Sequence, residues 1–186
     1  MNYELRITSR AGFTAIELLV VLAVSVVLTT LLITTNRGSE GIVVLRGEQA
    51  KLLGAIASAK SLAIQTFVAD PNASRACGYG VYFPGASVLT YTVFQDKPDP
   101  PTGQCVALGA YTGNKQFDSG EEVQAYALTS GVVFDSISIS SVLFIPPDPM
   151  TVLYPSASEA TVVLKLTDGG ASAGVTVTGA GQITAE

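Results

Sequence analysis

Between residues 13 and 35 the chain is almost wholly apolar, and a single carboxylate, Glu17, lies near the start of that stretch. As a helix, those 23 residues at about 1.5 Å per residue span about 35 Å, enough to cross a bilayer. A cleaved secretory signal has an apolar core of about 7–15 residues followed by an A-x-A-like site. This core is longer and no clear A-x-A site follows it, so a retained membrane helix is expected. Glu17 then becomes the constraint. An ionised side chain in hydrocarbon costs about 2.5–3.5 kcal/mol on insertion scales. Its expected counter-charge is a positive group carried by another copy of the same kind of chain.

The residues around Glu17 carry a family resemblance. A short basic leader ends in Gly12 and is followed by Phe13, Thr14, the apolar pair Ala15-Ile16, Glu17 and a long apolar helix. This resembles the N-terminus of type IV pilins and of the pseudopilins of type II secretion systems, over roughly residues 10–32. The resemblance implies that a prepilin peptidase cuts between Gly12 and Phe13 and methylates the new N-terminus at Phe13. It also implies that Glu17 neutralises the amino group of a neighbouring subunit in the assembled fibre. Many family members carry a proline in this helix, and this chain has none there. The alternative is a plain signal anchor. It accounts for the length and the basic flank, but not for Glu17 or the Gly-Phe junction.

Charge sets the expected topology. Up to Phe13, Glu4 stands against Arg6 and Arg10, so the leader is positive and should stay in the cytoplasm while the rest is exported. From Asp70 onward there are four basic and eleven acidic side chains, a balance of about −7. Nucleic-acid binding relies on Lys and Arg neutralising phosphates, so this surface argues against nucleic acid as a partner. Cys77 and Cys105 both fall in the exported part. An oxidising compartment permits a disulfide between them; the alternative is two buried free thiols. The chain has no His and no C-x-x-C, which removes His-metal and thiol-metal sites.

Along the chain, residues 1–12 read as a leader, 13–35 as the transmembrane and assembly helix, 36–69 as its amphipathic continuation and 70–186 as an exported β-rich domain. Gly38 and Gly41, with Thr29, Thr30, Thr34 and Thr35, predict a bend or melted stretch between residues 25 and 41. A second helical pattern covers 42–68. Leu45, Leu52, Ile56, Ala59, Ala63 and Phe67 form its apolar stripe; Gly47, Lys51, Gly54, Ser58, Ser61 and Gln65 form a narrow polar or small face. Gly47, Gly54 and Ser58 would let a neighbouring helix approach closely. Asp70-Pro71-Asn72 stops the helix. Strands are predicted at 80–83, 88–95, 106–111, 122–127, 132–140, 142–145, 161–167, 174–178 and 182–184, with breaks at 96–103 and 146–149 and a hairpin turn at Gly179-Ala180-Gly181. The expected fold is α+β and pilin-like: a long N-terminal helix packed on an antiparallel β-rich domain.

A second resemblance lies in the C-terminal half. Val142-Leu143-Phe144-Ile145-Pro146, Ala160-Thr161-Val162-Val163-Leu164 and the stretch from Val175 to Ile183 are similar to the tail of one minor pseudopilin subfamily, whose members sit near the fibre tip and help start assembly. Gln182 replaces the usual basic residue after the closing glycine.

Chemistry is sparse. Asn114, Asp118, Glu121 and Glu122 are the one cluster of oxygen ligands, the type calcium takes, and some major pseudopilins bind calcium in such a loop. Lys115 interrupts the run and EF-hand spacing is absent, so the alternative is a solvated turn. No nucleophile motif is present, and Glu121 and Glu122 would face opposite sides of a strand. The expectation is a non-enzymatic structural subunit, a minor pilin or pseudopilin. Its partners would be the prepilin peptidase, other pilin or pseudopilin subunits and an inner-membrane assembly platform. The subunit would begin as a single-pass membrane protein and end in an extracytoplasmic fibre. The alternatives are a major pilin, or a signal-anchored surface binding protein that never polymerises.

Overall fold

A computed structural model describes residues 14–69, 76–98, 105–107, 110–146 and 150–186. Among them there is one helix, α1 (Ala15–Ala69), and eleven strands. The chain divides into two compact units, Met1–Glu40 and Gly41–Glu186.

In the first unit, Ala15–Ile33 is long and apolar enough to cross a membrane, with mean hydropathy 2.7. Every residue of that stretch is exposed. Its hydroxyls turn inward onto their own helix: Ser25 Oγ donates to the Val21 carbonyl at 2.7 Å, Thr29 Oγ1 to Ser25 at 2.6 Å and Thr30 Oγ1 to Val26 at 2.8 Å. In hydrocarbon these bonds remove the cost of an unpaired hydroxyl. The melted stretch expected between residues 25 and 41 is absent, because α1 remains helical through those residues. A lone glycine weakens a helix by about 1 kcal/mol, and a helix already nucleated on both sides propagates across it.

The second unit holds two antiparallel sheets. A five-stranded sheet has the order β5 (Glu122–Ala127), β2 (Thr90–Asp96), β1 (Gly78–Tyr82), β7 (Ser141–Ile145), β8 (Met150–Tyr154). A four-stranded sheet has the order β11 (Ile183–Ala185), β10 (Ser172–Thr178), β9 (Glu159–Leu166), β6 (Val132–Ile137). The two-residue strands β3 (Val106–Ala107) and β4 (Ala110–Tyr111) pair with each other, where one continuous strand over 106–111 was expected. Strand β8 was not expected at all. The α+β class holds.

The stripe on α1 is the core face. Leu45, Leu52, Ile56, Ala59 and Ala63 are buried against residues of both sheets, including Val81, Tyr91, Phe134, Phe144, Leu164 and Val175. The side chain of Phe67 lies outside the described residues. Gly41 fits here for a reason of space: a Cβ there would sit 2.9 Å from Leu166 Cδ1. Strand β7 is buried on both faces. Val142 and Phe144 face the helix side, while Leu143 and Ile145 join Phe94 in a second cluster that Tyr82, Tyr111, Phe117 and Val152 cover. That double burial explains why Val142-Leu143-Phe144-Ile145 reads as an unbroken apolar run instead of an alternating one.

Candidate functional site

Glu17 sits in the first turn of α1. Its Oε2 accepts the Thr14 backbone N–H and the Thr14 hydroxyl, each at 2.9 Å, and its own N–H donates to Thr14 Oγ1 at 3.3 Å. This is a reciprocal capping box, with Thr14 as the N-cap and Glu17 three residues on. It satisfies two of the donors that every helix start leaves orphaned, and it sets a carboxylate against the positive end of the helix dipole. The pattern Thr14-x-x-Glu17 was available in the sequence and points to this cap. The Glu17 carboxylate therefore has hydrogen-bond partners within its own chain, none of which carries a charge. Both of its bonds fall on Oε2, and an ionised carboxylate offers roughly four acceptor positions, so capacity for an amine remains. Gly12 and Phe13, the expected processing junction, lie outside the described residues.

The face of α1 opposite the core is open. Gly47, Gly54, Ser58 and Ser61 are exposed, and a Cβ at Gly47 or Gly54 would meet no heavy atom within 4 Å. Val43, Ala50, Ala57 and Ile64 are exposed too. With Gly47, Gly54 and Ser61 they make an uncharged seam at alternating four- and three-residue steps, the repeat that helix pairs use.

Cys77 and Cys105 are joined by a disulfide, and both are buried. The surrounding ladder fixes their approach: Cys77 N–H donates to the Asp96 carbonyl at 2.6 Å, and Thr112 N–H to the Cys105 carbonyl at 3.2 Å.

The four candidate calcium ligands do not form a cage. Glu121 is buried and spends both oxygens on backbone: Oε1 accepts Lys97 N–H at 2.8 Å and Oε2 accepts Asp118 N–H at 2.9 Å. The Asn114 amide donates to the Asp118 carboxylate, and Glu122 is exposed on β5. Among the described residues no group of three or more His, Cys, Asp or Glu side chains is arranged to hold a metal ion. The residues therefore do not fit a calcium site, and the hydrogen bonds account for the loop.

That loop shelters a residue that the sequence reading places at the start of an exposed loop over 96–103; the structure puts it in β2 instead. Asp96, at the end of β2, is fully buried. Its Oδ2 accepts the Tyr111 hydroxyl and the Lys115 N–H, the latter at 3.1 Å, while Oδ1 is buried without a partner. Gly113 allows this approach, since a Cβ there would collide with the Asp96 carboxylate. Burial pushes the Asp96 carboxyl above the usual carboxylate range, against the pull of the Tyr111 hydroxyl and of the backbone N–H groups. Burial likewise raises Glu121. The Tyr111 phenol is raised by burial first and by its bond to Asp96 second. No local motif marks Asp96, whose partners are brought in from β4 and the loop after it.

Comparison with protein-family models, curated proteins and solved structures returned no match.

Proposed function

We propose that this chain is a structural, non-enzymatic subunit of an extracytoplasmic fibre: a minor pilin or pseudopilin of a type IV pilus or a type II secretion-like system. The observation that carries this reading is the start of α1. A carboxylate is held in the first turn of a fully exposed apolar helix, four residues after the Gly12-Phe13 junction that resembles a prepilin peptidase site. The open seam on the second half of α1 supports the same reading, because small residues let helix backbones approach closely.

In this proposal the precursor waits in the membrane with its β-rich domain outside. The peptidase removes residues 1–12 and leaves an amine at Phe13. An assembly platform then lifts the subunit into a helical bundle. Moving apolar helix surface from lipid to protein gives no hydrophobic gain by itself, so packing and charge pairing must favour assembly. Glu17 offers its remaining acceptor capacity to the Phe13 amine of a neighbour, which offsets the desolvation of both and fixes the register.

Mass spectrometry of the cell-derived protein tests this. The expected N-terminal residue is methylated Phe13. A chain that keeps residues 1–12 supports instead a signal-anchored surface binding protein and removes the fibre reading.

A further inference from the structure

The five-stranded and four-stranded sheets have four edge strands between them, and three of these are guarded. On β5, Lys51 Nζ donates to the Ala127 carbonyl at 2.7 Å. Strand β11 is three residues long, and Gln49 and Lys60 bond to the carbonyls of Glu186 and Gly181 that flank it. Strand β6 carries the charged Asp135 in a bulge between Phe134 and Ser136. Short length, charge and bulges are the devices that keep an edge from pairing with another chain. Strand β8 has none of them. Its five residues, Met150-Thr151-Val152-Leu153-Tyr154, carry no charge, and Pro149 and Pro155 fall just outside them.

The backbone of β8 is open on its outer side. Phe83 N–H donates to the Ser140 carbonyl at 2.8 Å, which sets the alternation: Val142 and Phe144 bond to β1, so Ser141, Leu143 and Ile145 bond to β8. Met150, Val152 and Tyr154 face them across the ladder, and Thr151 and Leu153 turn their N–H and C=O groups away from β7. Among the described residues nothing bonds to those four groups. Thr151 and Leu153 lie about 7 Å apart along the strand, the repeat at which a neighbouring strand exchanges bonds. On the sheet face away from the helix, Met150 and Tyr154 are 55% and 44% exposed, with Val152 half-buried between them.

We propose that β8 docks an extended segment of a different polypeptide, which adds as a sixth strand, is neutral or basic, and carries apolar side chains at alternate positions. Its backbone satisfies Thr151 and Leu153, and its apolar row covers Met150 and Tyr154. Residues 70–186 hold eleven acidic and four basic side chains, so their field disfavours an acidic segment. A second copy fits worse. Antiparallel pairing of β8 with β8 has a twofold axis perpendicular to the sheet, which reverses the direction of the helix lying on it. Two chains that enter one membrane through Ala15–Ile33 cannot run in opposite directions. Parallel self-pairing puts the two Met150–Tyr154 rows on opposite faces of the joined sheet, where neither covers the other. The choice of a foreign segment rests on the membrane anchor alone; the edge is the same whether or not the chain is cut after Gly12 or enters a fibre.

Hydrogen exchange on the full chain in detergent tests this, with the soluble peptide acetyl-Lys-Thr-Val-Thr-Val-Thr-Lys-amide as the added strand. Saturating peptide should slow exchange at the Thr151 and Leu153 amides by about tenfold or more and leave Val152, already bonded to β7, unchanged. The same peptide N-methylated at every residue has no backbone donor and should protect neither amide. Thr151→Pro deletes a donor that points away from β7, so the sheet stays paired and Leu153 should gain no protection. Met150→Asn with Tyr154→Asn changes two exposed side chains, keeps the fold, and should weaken peptide binding severalfold. No gain at Thr151 and Leu153 at millimolar peptide overturns the docking edge. Equal gains at Leu153 in the wild type and in Thr151→Pro do the same. Protection that rises with protein concentration alone gives the edge to a second copy and also overturns it.

Discussion

Replacing Glu17 with alanine and replacing Thr14 with alanine dismantle the same helix cap, but only the first removes a charge. Thr14→Ala loses the hydroxyl that bonds Glu17 Oε2 at 2.9 Å and accepts the Glu17 N–H at 3.3 Å. Glu17→Ala keeps that backbone N–H bond but loses the acceptor for both the Thr14 hydroxyl and the Thr14 N–H. Loss of an N-cap costs about 1 kcal/mol, roughly fivefold in an equilibrium. Removing one partner of a desolvated charge pair costs about 3–5 kcal/mol, on the order of 10²–10³-fold. If Glu17 meets an amine from a neighbouring subunit, Glu17→Ala should abolish detectable fibre while Thr14→Ala reduces it only severalfold. Glu17→Gln keeps a cap acceptor without the charge, and should behave like the alanine variant. The assay is immunoblotting of sheared surface fractions against total membrane protein, which separates assembly from insertion. Equal losses in Thr14→Ala and Glu17→Ala, at equal membrane levels, would refute the pairing and leave Glu17 as a helix cap alone.

Three further outcomes follow from the second unit. Cys77→Ser with Cys105→Ser releases a cross-link of sequence separation 28; the chain-entropy model gives about 3.6 kcal/mol, a fall of about 7–14 °C in melting temperature by calorimetry, and a loss under about 1 kcal/mol would contradict that account. Gly54→Leu adds a side chain where nothing lies within 4 Å, so the domain should melt at the same temperature or higher while fibre yield collapses; normal assembly would show that the seam is not a contact. Tyr91→Phe deletes a buried hydroxyl without a partner, so denaturant unfolding should show equal or greater stability; a loss above about 1 kcal/mol would mean that the hydroxyl has a partner after all.

What could be read from the sequence was the part fixed by local pattern. The apolar stripe Leu45-Leu52-Ile56-Ala59-Ala63 gave the core face of α1, and Glu122–Ala127 was predicted to the residue. Strand β8 is not legible in the sequence because its five residues directly follow three prolines in residues 146–149, which mark a break in the chain. The capping box was missed although its two residues are adjacent in any helical reading. A carboxylate in an apolar run suggests a distant partner before it suggests a hydroxyl three residues away. The Asp96 cluster was beyond local reading. It needs the β2 end, Tyr111, Gly113 and Glu121 in one place, and only the folded sheet brings them together.

The fastening of α1 to β11 has a consequence for biogenesis. Gln49 and Arg46 grip the carbonyl of Glu186, at 2.8 and 3.2 Å, and Lys60 grips that of Gly181 at 2.9 Å. A chain emerging N-terminus first shows Leu45, Leu52 and Ile56 long before residues 172–186 arrive to seat them. Closing a loop of that length costs about 4 kcal/mol in chain entropy, and such non-local pairing is intrinsically slow. Throughout that interval the greasy side of the helix is naked. The decisive moment for folding therefore comes when residues 172–186 are in place and the closing hairpin can seat on the helix.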